Sequence, residues 1–243
     1  MKNLLIFIWI LSNVNSYAQV ASKRAIYKLK YVDVENNEFL IAASKQEGNL
    51  EFFLDFNNVE SQFYVDKGMS IPNEKINLAI VLSNAQSTIF TNLKTTKIIS
   101  QAKTSRMIAD NEFIVTEDVS IDWEISNETK LIDGLKCFKA TRKTITTNSN
   151  PKFKKKYIQT AWFCPKIPYS FGPTYSSGLP GLVVEYQDNN NFFYLKKIIT
   201  LKEKFKFKKP KKGLSLSRIS LNDTIAHRAL RLKEAIEKSK EKK

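Results

Sequence analysis

Short β-type runs recur about every ten residues along most of this chain, and no helical stripe separates them. In the first run, Ala25–Val34, the apolar residues Ile26, Leu29 and Tyr31 are interleaved with lysines. Because the strands follow one another without helices between them, an antiparallel meander is favoured over βαβ units. The pattern predicts further strands at Asn49–Phe56, Ser61–Val65, Ser87–Phe90, Lys97–Gln101, Glu112–Glu117, Ser120–Ile125, Leu135–Thr144, Tyr157–Cys164, Leu182–Tyr186 and Asn191–Leu201.

A sheet with this many strands must curl or fold over to cover its faces. We therefore predict a mainly β fold, built as a curved antiparallel sheet that forms an open half-barrel or a sandwich. The segment Glu74–Ser83 fits a short helix or another strand equally well. Leu221–Lys243 combines polar caps with near-helical spacing but has few apolar residues, which predicts a C-terminal helix on the surface.

The N-terminus has the pattern of a secretory signal peptide. A basic start, the apolar run Leu4–Leu11 and small residues at Ser16 and Ala18 predict cleavage after Ala18. An uncleaved N-terminal anchor is the alternative, although the run is far shorter than the roughly 20 residues that span a bilayer. We expect a signal peptide at residues 1–18, a single mainly β domain at 19–209, and a basic linker with a helix at 210–243. The mature protein is expected to be exported, to the periplasm or the outer membrane.

The formal charge of +15 is concentrated at one end of the chain. Residues 196–243 contain 17 Lys/Arg and 5 Asp/Glu, a net of +12, whereas the other 195 residues carry 22 against 19. Lysine outnumbers arginine 33 to 6, while nucleic-acid readers rely on arginine for bidentate contacts. We therefore expect no nucleic-acid partner. The basic tail is either simply solvated or touches an anionic membrane surface.

Two cysteines in an exported chain are candidates for a disulfide. If Leu135–Thr144 and Tyr157–Cys164 form a hairpin with Thr144 opposite Tyr157, the same register places Cys137 opposite Cys164. Directly opposed Cα atoms in such a ladder lie about 4.5–5.5 Å apart, which a disulfide can bridge. We predict the bond, with two buried free thiols as the alternative.

The segment 162–186, WFCPKIPYSFGPTYSSGLPGLVVEY, holds four of the seven prolines and three of the seven glycines. Pro165, Pro168 and Pro173 lack backbone donors and favour an extended path outside the ladder. Pro180 and Gly181 suit the central positions of a type II turn, because Gly accepts the positive φ required there. The prediction is a rigid crossover packed with the aromatic residues Trp162, Phe163, Tyr169, Phe171 and Tyr175.

Gly178-Leu179-Pro180-Gly181-Leu182-Val183 resembles the GLPGLI signature of a family of exported proteins common in Bacteroidota. The resemblance covers roughly Ala25 to Lys212 and implies an exported, mainly β envelope protein, without implying any particular chemistry. It marks the motif as architectural, with Glu185 as the polar group nearest the loop. The matching residues on the approach to the signature are Trp162, Phe163, Pro165, Ile167, Pro168, Gly172 and Pro173.

The chain offers little for catalysis. The single histidine, His227, lies in the basic tail, and two cysteines cannot complete a tetrahedral zinc site, so we expect no metal and no other cofactor. Carboxylates remain: Asp122 and Glu124 would share one face of a strand, and Asp118 and Glu185 lie in the same half of the chain. A solvated sheet face accounts for them equally well.

We therefore expect a non-catalytic binding or accessory protein with an envelope or outer-membrane protein as its partner. The first alternative is a carrier of lipid or another apolar ligand in a half-barrel cavity, for which the 16 Phe and 9 Tyr could supply the lining. Whether these aromatic side chains line an open hollow or fill a closed core decides between the two. The second alternative is a hydrolase that uses the carboxylates named above.

Overall fold

The computed structural model describes residues 22–66, 78–85, 87–103, 112–145, 156–224, 227 and 231. The predicted signal peptide and most of the predicted C-terminal helix lie outside these residues. The strands are β1 (Lys23–Tyr31), β2 (Phe52–Phe56), β3 (Glu60–Val65), β4 (Ile89–Asn92), β5 (Lys97–Lys103), β6 (Glu112–Asp118), β7 (Glu124–Ile132), β8 (Leu135–Ile145), β9 (Lys156–Cys164), β10 (Leu182–Asp188), β11 (Asn191–Thr200) and β12 (Leu214–Leu216). The helices are α1 (Glu38–Ser44), α2 (Leu78–Leu82) and a C-terminal helix that begins at residue 218, with a 3₁₀ turn at Glu47–Asn49.

The twelve strands form one open sheet in the order β12-β6-β5-β4-β3-β2-β1-β11-β10-β9-β8-β7. Two antiparallel meanders, β1–β6 and β7–β11, meet where β1 pairs with β11. β12 is the exception, because it lies parallel to β6. The mainly β prediction is confirmed, in the form of one continuous sheet with β12 and β7 at its two edges.

Alternation along the central strands places one face of the sheet in the core. In β1, Ala25, Tyr27, Leu29 and Tyr31 are buried on this inner face, and β2 and β3 contribute further aromatic side chains. The Tyr27 hydroxyl donates to the Val183 carbonyl oxygen at 2.5 Å, so this buried polar group has its partner. This hydrogen bond ties the inner face of β1 to the start of β10.

Helix α1 was not predicted from the sequence. Its N-cap is Asn37, whose side-chain oxygen accepts hydrogen bonds from the backbone amides of Phe39 and Leu40. Leu40 and Ala43 are buried, which anchors the helix on the core. The ambiguous segment Glu74–Ser83 contains a helix, α2, in its described part.

The strand predicted at Ser120–Ile125 is wrong for most of its length, since β7 begins only at Glu124. β7 and β8 are joined by a two-residue turn in which Asp133 and Gly134 have φ of 48° and 74°. Positive φ at both residues is the type I′ geometry that Asp-Gly favours. β7 therefore begins four residues later and ends seven residues later than the predicted strand. Among the described residues, no helix is both long enough and apolar enough to cross a membrane.

Candidate functional site

The segment 165–181 links β9 to β10 and packs against the inner face of the sheet. Its backbone joins the following strand, because the amides of Leu182 and Val183 donate to the carbonyl oxygens of Ile167 and Phe171, each at 2.9 Å. Phe171 is fully buried against Phe56, with ring centroids 6.2 Å apart. The predicted crossover is present, and its prolines keep it out of the ladder.

The predicted type II turn at Pro180-Gly181 is wrong. The Gly181 amide donates to the Leu179 carbonyl oxygen at 2.8 Å, which closes a three-residue turn around Pro180. Gly181 has φ of 153°, outside the value near 80° of a type II turn. Glycine is required because a Cβ at this position would lie 2.6 Å from the Cys164 carbonyl carbon and 2.9 Å from the Pro165 nitrogen.

Cys137 and Cys164 form a disulfide, with their Cα atoms 4.3 Å apart. The predicted register of the β8–β9 hairpin is confirmed, because Thr144 lies opposite Tyr157 and Phe138 opposite Phe163. Both cysteines are fully buried on the outer face, beneath Trp162 and beside Val184. The bond therefore ties the start of the crossover to β8.

The largest aromatic side chains fill the core. Phe52 and Phe63 stack at 5.9 Å, and Phe193 meets both of them edge to face. These rings pack on one another instead of lining an open hollow. The aromatic side chains therefore fill a closed core, which gives the carrier alternative no support. The fully buried aromatic residues are Tyr27, Phe52, Phe56, Phe63, Phe163, Phe171, Tyr186 and Phe193.

A polar cluster lies where the crossover meets the C-terminal helix. Arg218 donates to the Glu117 carboxylate at 2.6 Å and to the Tyr175 hydroxyl at 2.6 Å, with its guanidinium 5.1 Å from the Tyr175 ring centroid. The Tyr175 hydroxyl also donates to Ser100 at 3.2 Å. Burial raises the pKa of Tyr175, so its hydroxyl keeps its proton. The helix thereby fastens the crossover to β5 and β6.

A second arginine, Arg142, approaches the crossover from β8. Its guanidinium lies 4.4 Å from the centroid of the Trp123 ring and donates to the Gln159 side-chain oxygen at 2.8 Å. It also reaches the Tyr175 carbonyl oxygen at 3.5 Å. Within the described part of the chain, no carboxylate forms an ion pair with Arg142, whereas Arg218 has Glu117. The Arg142 guanidinium is therefore hydrogen-bonded to amide and carbonyl oxygens and stacked on an indole ring.

Trp123, Tyr186 and Asp188 lie close to Arg142, and each has a buried polar atom without a direct hydrogen-bond partner. Among the described residues, Thr174, Ser177 and Asn191 also have such an atom. Burial raises the pKa of the Asp188 carboxyl, against opposing effects of Gln159, Arg142 and Tyr186. Burial also raises the pKa of Tyr157 to about 12. Asp188 and Arg142 therefore belong to one largely buried polar cluster beside the crossover.

The carboxylates proposed for a hydrolase are not brought together as expected. Asp122 precedes β7 and is exposed, so it does not share a strand face with Glu124. Asp118 is ion-paired with Lys97 at 2.6 Å on the surface. Glu185 forms an ion pair with Lys130, whose ammonium lies 4.3 Å from the centroid of the Trp162 ring. His227 is exposed, and the described residues contain no group of three potential metal-ligating side chains.

The strands β7, β8 and β9, which we call the wing, expose apolar side chains at the edge of the sheet. Ile121 just before β7 is 87% exposed, Leu131 on β7 is 75% exposed and Ile158 on β9 is 60% exposed. Ile125 and Ile145 are also about half exposed. β7 pairs with β8 on one side and forms the free edge on the other. Most residues of β7 are exposed whichever face they point to.

Sequence reasoning identified the crossover but missed both arginines and the free edge. Arginine is rare in this lysine-rich chain, so Arg142 and Arg218 were signals of sites that use a planar guanidinium. The dipeptide Asp133-Gly134 was a signal for the β7–β8 hairpin.

Residues 123–185 match a sequence family described as a protein of unknown function (Porph_ging). The match covers the wing, the disulfide, the crossover and part of β10. The family resemblance inferred from the signature is therefore confirmed in part: this region is similar to a family of unknown function. The GLPGLI name stays a prediction. No curated protein sequence matches the chain.

Solved structures that resemble this one include two of PNGF-II. The form crystallised in space group P21 has a TM-score of 0.54 and 11% identity, and covers 86% of this chain and 34% of that chain. The C2 form has a TM-score of 0.51 and 12% identity, and covers 86% of this chain and 33% of that chain. At such low identity the likeness shows the fold alone. The chain spans about a third of the length of these solved chains.

Proposed function

We propose that this chain is a non-catalytic binding module of the cell envelope, exported after loss of its N-terminal leader. The free edge of β7 is the observation that supports this proposal. An edge strand leaves every second backbone N–H and C=O group without a ladder partner. Native proteins usually shorten or cover such edges, whereas β7 is nine residues long and carries the exposed side chain of Leu131.

The partner we propose for this edge is an extended segment of another protein. A strand that adds to β7 gains backbone hydrogen bonds along the edge, and its alternate side chains can contact Ile125 and Leu131. The ladder between β7 and β8 shifts register between Ile125 and Thr129. The regular part of the edge is therefore Thr129–Ile132. We expect the added strand to form its first backbone hydrogen bonds there.

The likeness to PNGF-II supports a modular role. In those structures the same fold accounts for about a third of a longer chain, so it exists beside other protein segments. The arrangement of the candidate carboxylates also favours binding over hydrolysis. Glu185 and Asp118 are ion-paired, and Asp122 lies outside the strand.

Site-specific photo-crosslinking in the native envelope tests this proposal. A photoreactive residue at Asn127 on β7 is expected to give one discrete crosslinked protein, and the same residue at the exposed Asn58 between β2 and β3 is expected to give none. Leu131→Lys should abolish the crosslink, because it places a charge in the contact. Phe39→Lys, which changes an equally exposed apolar side chain on α1, should leave it unchanged.

The crosslinked protein, once purified, should also slow hydrogen exchange of the β7 amides. A crosslink that appears equally at both positions, or that survives Leu131→Lys, would contradict binding at this edge. Normal crosslinking without amide protection would mean that the partner contacts side chains only, which contradicts strand addition.

A further inference from the structure

A second surface, separate from the β7 edge, is formed by residues 201–213, LKEKFKFKKPKKG, which we call the strap. The strap leaves the end of β11, crosses the outer face of the sheet and reaches β12 beside β6. It carries seven lysines and one glutamate. All seven lysines are exposed, while Leu201, Phe205, Phe207 and Pro210 are half-buried.

The backbone of the strap is held in place at several points. The amides of Leu201 and Phe205 donate to Ser22, to its carbonyl oxygen at 2.9 Å and its hydroxyl at 3.1 Å. The Lys208 amide donates to the buried side-chain oxygen of Gln62 at 2.8 Å. Phe205 is thereby joined to a residue that lies 183 positions earlier in the chain, and Lys208 to one that lies 146 positions earlier. These hydrogen bonds therefore hold residues 201–208 on the outer face of the sheet, directly before the basic linker predicted to begin at residue 210.

Alternation along the strap separates charge from apolar contact. Phe205 and Phe207 are half-buried and pack on one another, with ring centroids 5.1 Å apart. Lys204, Lys206 and Lys208 alternate with them and are exposed, and alternate positions lie about 6.6–7 Å apart in an extended chain. The result is a row of ammonium groups projecting from a fixed backbone.

The positive charge of this row is not neutralised within the structure. None of the seven lysines of the strap forms an ion pair with a carboxylate of the described residues. Residues 201–206 line an open depression of about 460 Å³ on the surface, and this lining contains three lysines, Lys202, Lys204 and Lys206, against one carboxylate, Glu203. An array of uncompensated cations around a depression is complementary to several phosphate groups rather than to one.

We propose that the strap binds the phosphate head groups of an anionic membrane surface. Lysine acts as a point charge and suits an array of head groups, whereas a single chelated phosphate is usually held by the arginine fork or by backbone amides. Single-stranded nucleic acids are bound by stacking bases on exposed aromatic rings, and here both phenylalanine rings are half-buried and pack on one another. Because the exposed side chains of the strap are charged, the contact is peripheral and weakens as salt rises.

Co-sedimentation of the purified mature protein with vesicles tests the inference. The protein should bind vesicles that contain phosphatidylglycerol and should not bind vesicles of phosphatidylcholine alone. The triple variant Lys204→Gln/Lys206→Gln/Lys208→Gln should bind about 100-fold more weakly, since each lysine near an anionic surface strengthens binding roughly fivefold. Its melting temperature should not change, because the three side chains are exposed.

The matched control is Lys136→Gln/Lys143→Gln/Lys156→Gln, which removes the same charge from exposed positions of the wing. The affinity of this control for the vesicles should fall by no more than about twofold. An equal loss of affinity in both triple variants would show attraction by net charge alone and overturn the inference. Inorganic phosphate, added at the same concentration as the lipid phosphate of the vesicles, should not release the protein. If it does, the ligand is free phosphate and the proposal of a membrane surface is overturned. Tighter binding to a duplex oligonucleotide than to the vesicles would overturn it as well.

Discussion

Replacing Gly181 with alanine tests how the crossover is seated on the end of β9. The new Cβ would lie 2.6 Å from the Cys164 carbonyl carbon, far inside ordinary contact distance of 3.4–4 Å. The obstructing atoms are backbone, so they cannot rotate away as a flexible side chain would. Cys164 is also held by the disulfide, which limits how far the end of β9 can shift.

The expected magnitude is the sum of two contributions. Forcing a residue with a Cβ into a positive φ destabilises by about 1–2 kcal/mol. Overpacking a tight site adds about 1–3 kcal/mol. Gly181→Ala should therefore destabilise by about 2–5 kcal/mol, which for a chain of this size lowers the melting temperature by roughly 5–15 °C.

Two other glycines separate these contributions. Gly134 has φ of 74°, but a Cβ added there would meet no atom within 4 Å, so Gly134→Ala should show the backbone contribution alone, about 1–2 kcal/mol. Gly48 has neither constraint, so Gly48→Ala should stay within about 0.5 kcal/mol of the wild type. Urea unfolding followed by tryptophan fluorescence, with the disulfide intact, measures all three. If Gly181→Ala is no less stable than Gly134→Ala, the close approach to Cys164 does not determine the choice of glycine.

Further predictions concern the disulfide and two charged groups. Replacing Cys137 and Cys164 with alanine should destabilise by about 3.5 kcal/mol relative to the oxidised wild type, from the loop entropy of a 27-residue separation, measured by urea unfolding; the reduced wild type should show a similar loss. Burial raises the pKa of Asp188 in the folded state, so wild-type stability is lost as pH rises through that pKa. Asp188→Asn should therefore be more stable than wild type at pH 7 and lose this advantage below about pH 4, and an equal difference at both pH values would refute the assignment. Arg24→Met leaves a fully buried carboxylate without its cation and should cost about 3–5 kcal/mol, whereas Lys97→Met at an exposed pair should cost less than about 1 kcal/mol in the same melts.

Local patterns in the sequence determined most of the strands and one register. The side-chain period of two is a property of each strand alone, so β1, β3, β5, β6 and β8–β11 lie close to their predicted positions. The β8–β9 register followed because Cys137 and Cys164 must be within bonding distance. The proline and glycine content of segment 162–186 likewise indicated a crossover, since these residues restrict the backbone locally.

The tertiary structure decided which distant segments meet. The pairing of β1 with β11 and the order of the whole sheet depend on the core that the two meanders bury together, which no local pattern encodes. The contacts of Arg218 with Ser100 and of Tyr175 with Ser100 join residues 118 and 75 positions apart. The strap shows the same limit, because its composition predicts a solvated linker and only its hydrogen bonds to Ser22 and Gln62 hold it on the sheet. Alternation and turn residues thus determine strands, whereas the pairing of elements far apart in the chain is set by the free energy of burying them together.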